Sequence, residues 1–126
     1  MRVINLASGS KGNSTFIDSG NMKVLLDVGL SLSNLEKRLE LVNEKAEDID
    51  AIVITHEHSD HIHCLVQFLK KYKAIAYIPA EIVGGFLKDI PEFVRGKIVE
   101  MKGYDFTIGD ILVCPFKLPH DSIVCY

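Results

Sequence analysis

Residues 54–63 read ITHEHSDHIH, and the groups able to bind a metal or a proton crowd there: His56, Glu57, His58, Asp60, His61 and His63. Histidine and aspartate are ligand types that a borderline divalent cation such as zinc takes. Side chains alternate with period two in an extended segment, so His56 and His58 can point the same way. Asp60 and His61 come slightly later, where the chain turns, and can aim at a second position nearby. The spacing fits two adjacent metal ions, one held mainly by each pair. It is not the H-E-x-x-H pattern, which puts both histidines on one helical face. Glu57 reads as a solvated carboxylate on the opposite side, and His63 as a loop histidine in solvent. The competing reading of the whole cluster is a chance run of histidines, which would add little stability at the end of a hydrophobic strand.

Asp50–Thr55 (DAIVIT), just before the cluster, is apolar and β-branched and predicts a buried strand. The cluster therefore sits at the C-terminal end of a strand, where open α/β sheets place ligand sites. Upstream, 2–7 alternates as a strand, 8–14 (SGSKGNS) is a glycine-serine loop, and 14–27 reads as a hairpin turning at Ser19-Gly20-Asn21. Ser33-x-x-Glu36 is a capping-box pattern, and Leu35, Leu39 and Val42 continue it as a helix over 34–43. Leu65, Phe68, Leu69 and Tyr72 mark a second helix, 74–78 a strand stopped by Pro79, and 80–88 a helix weakened by Gly84-Gly85. Strands come next at 97–101, 104–107 and 110–117, with turn points at Gly103 and Gly109. This order predicts a layered α/β fold rather than a helical bundle.

The sequence has 126 residues, 48 % of them hydrophobic, which suits one compact domain over 1–126. A net charge of −3 with 25 % charged residues gives no support for broad nonspecific binding to nucleic acid or acidic membranes. It does not exclude a nuclease, because bound divalent ions add positive charge locally. Lys70-Lys71-x-Lys73 reads as a solvated helix end that complements the dipole, with a nucleic-acid patch as the alternative. Cys64, Cys114 and Cys125 are far apart, which points to a reducing, cytoplasmic setting. Cys64 reads as a small buried hydrophobe, with zinc ligation as the alternative. No signal peptide and no apolar run long enough for a membrane helix is visible.

His56-x-His58-x-Asp60-His61, directly after Ile52-Val53-Ile54-Thr55, resembles the signature of the metallo-β-lactamase superfamily. Leu25-Leu26-Asp27-Val28-Gly29 is similar to the family's earlier strand ending in a structural aspartate. Ser8-Gly9-Ser10-x-Gly12-Asn13-Ser14 resembles the opening loop of the YycJ/WalJ-type branch. Pro119-His120-Asp121-Ser122 resembles the later motif that supplies a third histidine.

The resemblance implies a layered α/β/β/α sandwich, here truncated to the first half plus the start of the second. It implies that His56, His58 and His120 hold a first metal and that Asp60 and His61 hold a second, with Asp60 also catalytic. Ser8, Ser10 and Asn13 would belong to a substrate-facing loop at the rim, and Asp27 would be a structural carboxylate beside the metal loop. The cofactor implied is zinc, as one or two ions, with manganese as the alternative. The activity implied is hydrolysis through a metal-bound hydroxide, with DNA as substrate in a 5′-to-3′ exonuclease reaction. The motif equally suits thioester or lactone hydrolysis. The family's later bridging aspartate and last histidine find no match after Asp121, so five of seven expected ligands are in the chain. A non-catalytic metal-binding fragment is the reading from another class. Truncation also predicts an open apolar face through which two copies could pair.

Overall fold

The computed structural model describes residues 1–9, 12–55, 63–86, 88 and 90–116. Alternating apolar residues make β1 (Arg2–Ala7), β2 (Ser14–Asp18) and β3 (Lys23–Leu26), which pair as antiparallel neighbours. From β3 onward the pairing changes to parallel. Helix α1 (Leu32–Leu41) leads to β4 (Ala51–Val53), α2 (Leu65–Lys71) to β5 (Ile75–Pro79), and α3 (Ala80–Phe86) with α4 (Glu92–Arg95) to β6 (Ile98–Met101). The sheet order is β1-β2-β3-β4-β5-β6. Each crossover adds its strand on the same side of the last one. Right-handed crossovers of that kind lay every helix on one face of the sheet.

The core obeys this arrangement. Phe16, Leu25, Ile52, Ile54 and Ile78 of the sheet face Leu35 and Leu39 of α1, Leu65, Phe68 and Leu69 of α2, and Val94 of α4. Val24, Ala51, Val53 and Met101 lie in a second cluster with Ile108. Ile108 belongs to a separate hairpin of β7 (Phe106–Ile108) and β8 (Ile111–Val113). The described residues therefore form helices, sheet and hairpin in three layers, as the α/β/β order of the sandwich requires. Because Ile52 and Val53 enter opposite clusters, β4 is buried on both faces, and its continuous apolar run needs no alternation.

The hairpin is tied down at its turn. Asp110 accepts from Ser19 Oγ at 2.6 Å and from Asn21 Nδ2 at 3.0 Å, so the turn of β7–β8 rests on the turn of β2–β3. These bonds hold the Asp110 carboxyl below its usual range.

The cap of α1 differs from the sequence expectation. Ser31, not Ser33, is the N-cap, and its side chain accepts from the Asn34 amide. Glu36 does not close a capping box. It bonds instead to Lys71 Nζ at 2.7 Å and to the Tyr72 hydroxyl. A cation on the neighbouring helix competes better for a carboxylate than a backbone amide does. The helix accordingly spans Leu32–Leu41 and ends with Asn43 in the left-handed region at φ 61°. The short helix Glu92–Arg95 and a 3₁₀ turn at Ala46–Asp48 are not expected from the sequence.

One cross-element contact fixes the far end of α2. Lys97 Nζ donates to the carbonyls of Leu69 at 2.6 Å and Tyr72 at 2.8 Å. A cation on these C-terminal carbonyls satisfies groups the helix leaves unpaired and complements its dipole. Lys97→Met is expected to lower stability by about 1–2 kcal/mol. Urea titration checks this, with the midpoint falling at constant slope.

Candidate metal centre

The sequence VLLDVG turns from strand to site at one residue. Asp27 comes directly after β3 with φ 65°, a conformation that aspartate tolerates better than most side chains. Its amide donates to the Val53 carbonyl at 2.8 Å, the last link between β3 and β4. Its carboxylate then accepts twice from Thr55, from the amide at 2.8 Å and from the hydroxyl at 2.7 Å. Both residues are buried, Asp27 at 5 % exposure and Thr55 at 3 %. Hydrogen bonds to a carboxylate are strong in such surroundings.

This pair explains why β4 is shorter than the run DAIVIT suggests. Ile54 still donates to the Tyr77 carbonyl at 3.0 Å, but Thr55 leaves the ladder to meet Asp27. The next residue after Thr55 is His56. At the other end of the segment, the Cys64 amide donates to the Val28 carbonyl at 3.1 Å. Two consecutive residues, Asp27 and Val28, thus grip Thr55 and Cys64 on either side of the histidine-rich stretch. Neither contact is visible in the spacing of the motif. A threonine closing a β-branched run and an aspartate closing the preceding strand mark two of these residues in the sequence, but not their pairing.

Cys64 itself is fully buried in the helix-side core. Burial pushes its thiol up to about 12. It behaves as the small hydrophobe its helical spacing suggests. Cys114 is exposed. In the folded protein a maleimide is expected to label Cys114 and leave Cys64 unmodified. Peptide mapping after brief labelling reads both, and modification of Cys64 at the rate of Cys114 would contradict its burial.

The opening loop docks against the same turn. Gly12 has φ 141°, and a Cβ there would lie 2.9 Å from the Gly29 carbonyl oxygen. The Gly29 amide donates to the Asn13 carbonyl at 2.9 Å. The Asn13 side chain reaches across the loop, accepting from the Gly9 amide at 3.2 Å and donating to the Gly9 carbonyl at 2.9 Å. The structure therefore shows Asn13 clipping the loop shut. Ser8 is exposed, while the Ser14 hydroxyl is buried with no hydrogen-bond partner among the described residues.

Of the residues expected at the site, Asp27, Ser8 and Asn13 are placed as given above. His56, His58, Asp60, His61, Ser10 and His120 lie outside the described residues. So do Glu57 and Asp121. His63 is exposed, as a solvated loop residue would be. Lys70 and Lys71 are exposed in the last turn of α2. Among the described residues no three histidine, cysteine, aspartate or glutamate side chains converge on one point. The described residues provide the frame: two strand ends, one loop and one helix start meeting at Asp27–Gly29.

Comparison with known proteins agrees with this frame. A family model described as the metallo-beta-lactamase superfamily matches residues 7–121. The chain is 39% identical over 123 residues to exodeoxyribonuclease WalJ of Streptococcus pneumoniae, covering 94% of this chain and 45% of that protein. It is 33% identical over 120 residues to exodeoxyribonuclease YycJ of Bacillus anthracis, covering 93% and 45%. The chain thus spans less than half the length of these curated relatives. Among solved structures, the metallo-beta-lactamase SMB-1 superposes with a TM-score of 0.75 at 17% identity, covering 96% of this chain and 52% of that one. The metallo-beta-lactamase fold protein YhfI of Bacillus subtilis gives 0.69 at 20% identity, covering 95% and 50%. The strand, loop and helix order, the Asp27 turn and the family match lead to one conclusion: the chain belongs to the metallo-beta-lactamase superfamily.

Proposed function

We propose that the protein is a metal-dependent hydrolase of phosphodiesters, with DNA as its substrate. The observation that carries this reading is the double grip of Asp27 and Val28 on Thr55 and Cys64, which frames the sequence His56-x-His58-x-Asp60-His61. The relatives named exodeoxyribonuclease support DNA as the substrate class. The donor set suits a divalent cation: three histidines, counting His120, for a first ion, and Asp60 with His61 for a second. Zinc is the ion proposed, with manganese as the alternative. When bound, such an ion would supply Lewis acidity and lower the pKa of its water to about 7.

The chain's own residues have separate tasks in this reading. Asp27 fixes Thr55, the residue that precedes His56 in the sequence. Asp60 would serve both as a ligand of the second ion and as the catalytic residue. Asn13 holds the opening loop closed, so that the backbone amides and Ser8 and Ser10 can meet a phosphate at the rim. We read 1–126 as the N-terminal portion of one domain, and its two described cysteines, both free, suit the cytoplasm. No helix among the described residues is long and apolar enough to cross a membrane. Self-association belongs to the same reading: Val99 and Leu112, on the hairpin side of the sheet, are exposed.

The test is cleavage of an end-labelled DNA duplex with zinc or manganese supplied. Cleavage by the chain is expected to fall by about 100-fold or more in His58→Ala. Equal cleavage by wild type and variant would contradict the assignment. Hydrolysis of a thioester or lactone but not of DNA would replace the substrate class and keep the site.

A further inference from the structure

Strand β1 carries a bulge at its last step. Asn5 pairs with Thr15 and Ala7 with Ser14, so Leu6 is an extra residue with no opposite number on β2. Bulges bend a strand and re-aim the chain beyond them. Here the bulge turns two consecutive side chains to the helix side, since Leu6 is buried in that cluster and Ala7 packs against it. The opening loop begins directly after Ala7.

A bulged residue leaves its peptide groups without ladder partners, and each must be satisfied some other way. The carbonyl of Leu6 accepts from Arg38 Nη1 at 2.7 Å. Arg38 stands in the last turn of α1, between the buried anchors Leu35 and Leu39. Those two leucines pack the helix onto the sheet. The Arg38 bond acts where the strand changes direction.

The second stem of the loop is fixed independently, by Gly12 and Asn13 against Gly29, and the Asn13 amide joins the stems at Gly9. Arg38 is the side chain seen to hold the first stem from outside the loop. We propose that Arg38 is a positioning residue: it holds the bulged Leu6 carbonyl and so sets the path of Ser8 and Gly9. Its consequence for catalysis rests on the hydrolase reading above. Its consequence for the loop does not.

Hydrogen exchange read by mass spectrometry separates the two. Wild type, Arg38→Ala, Arg38→Lys and the same-helix control Lys37→Ala are compared. Amides of residues 6–9 are expected to exchange about three- to tenfold faster in Arg38→Ala, with 32–41 unchanged. Arg38→Lys should recover part of the protection, because an ammonium can donate to the carbonyl but lacks the planar fork. Lys37→Ala should match wild type. In the DNA cleavage assay KM should rise in Arg38→Ala by a similar factor, with kcat less affected. Unchanged exchange at 6–9 would overturn the proposal. So would acceleration spread evenly over α1 with a lower melting temperature, which is the signature of simple packing. A looser loop with unchanged KM in a cleaving protein would overturn its functional part. If wild type cleaves no DNA, the hydrolase reading fails, and the exchange data still decide the role of Arg38.

Discussion

Asp27→Ala is expected to lower stability by about 2–4 kcal/mol and to abolish firm metal uptake. The change strips the acceptor from two buried donors at once, the amide and the hydroxyl of Thr55. It also leaves an alanine in the left-handed region, at φ 65°. The strain is the smaller part, and the loss of paired acceptors the larger. Asp27→Asn separates them. Asparagine tolerates the backbone and its oxygen can still accept from the Thr55 amide, while its NH₂ can donate to the Thr55 hydroxyl. We expect about 1 kcal/mol there. Denaturant titration gives both values, and zinc titration reads the site. An Asp27→Ala protein as stable as wild type with unaltered zinc uptake would show that Thr55 is placed by something else.

Gly12→Ala is the second large effect, at about 2–4 kcal/mol. Two causes add. The backbone sits at φ 141°, where a side chain is strained whatever the space around it. The new Cβ would also meet backbone, 2.9 Å from the Gly29 oxygen and 3.2 Å from its carbonyl carbon. Backing the loop away would break the bond from the Gly29 amide to Asn13. Gly9→Ala is the internal control. Gly9 has φ 102°, but a Cβ added there would meet nothing within 4 Å among the described residues, so strain acts without collision with them. Gly12→Ala should therefore be the more destabilising of the two by thermal denaturation. The reverse order would mean that contact with Gly29 does not anchor the loop.

Much of the fold is legible in the residues, for identifiable reasons. β4 can be read because a strand buried on both faces shows as an unbroken β-branched run. α1 and α2 can be read because Leu35, Leu39, Leu65, Phe68 and Leu69 recur at helical spacing and are all buried. Local capping rules misplace the start of α1 because they do not see Lys71, which lies 35 residues from Glu36 and takes its carboxylate. The partnership of Asp27 with Thr55 spans 28 residues and depends on parallel pairing of β3 and β4, which no local pattern encodes. The bulge at Leu6 is hidden in a sequence whose alternation simply loses phase at Leu6-Ala7. The helix Glu92–Arg95 is too short to show a period. The histidine motif can be read from composition and spacing, whereas the contacts of Asp27 and Val28 on either side of it require the fold.

The proposed function requires that the segment between Thr55 and Cys64, framed by Asp27 and Val28, hold a divalent metal. Native mass spectrometry of the purified chain with zinc supplied tests it most directly, with His58→Ala measured beside wild type. At least one zinc held by each wild-type chain, and loss of that zinc in His58→Ala, is the expected result. The same spectrum counts copies per particle, so pairing through the hairpin side of the sheet would be read at once. A wild-type chain that takes up no zinc, or a variant that binds as much as wild type, would contradict it.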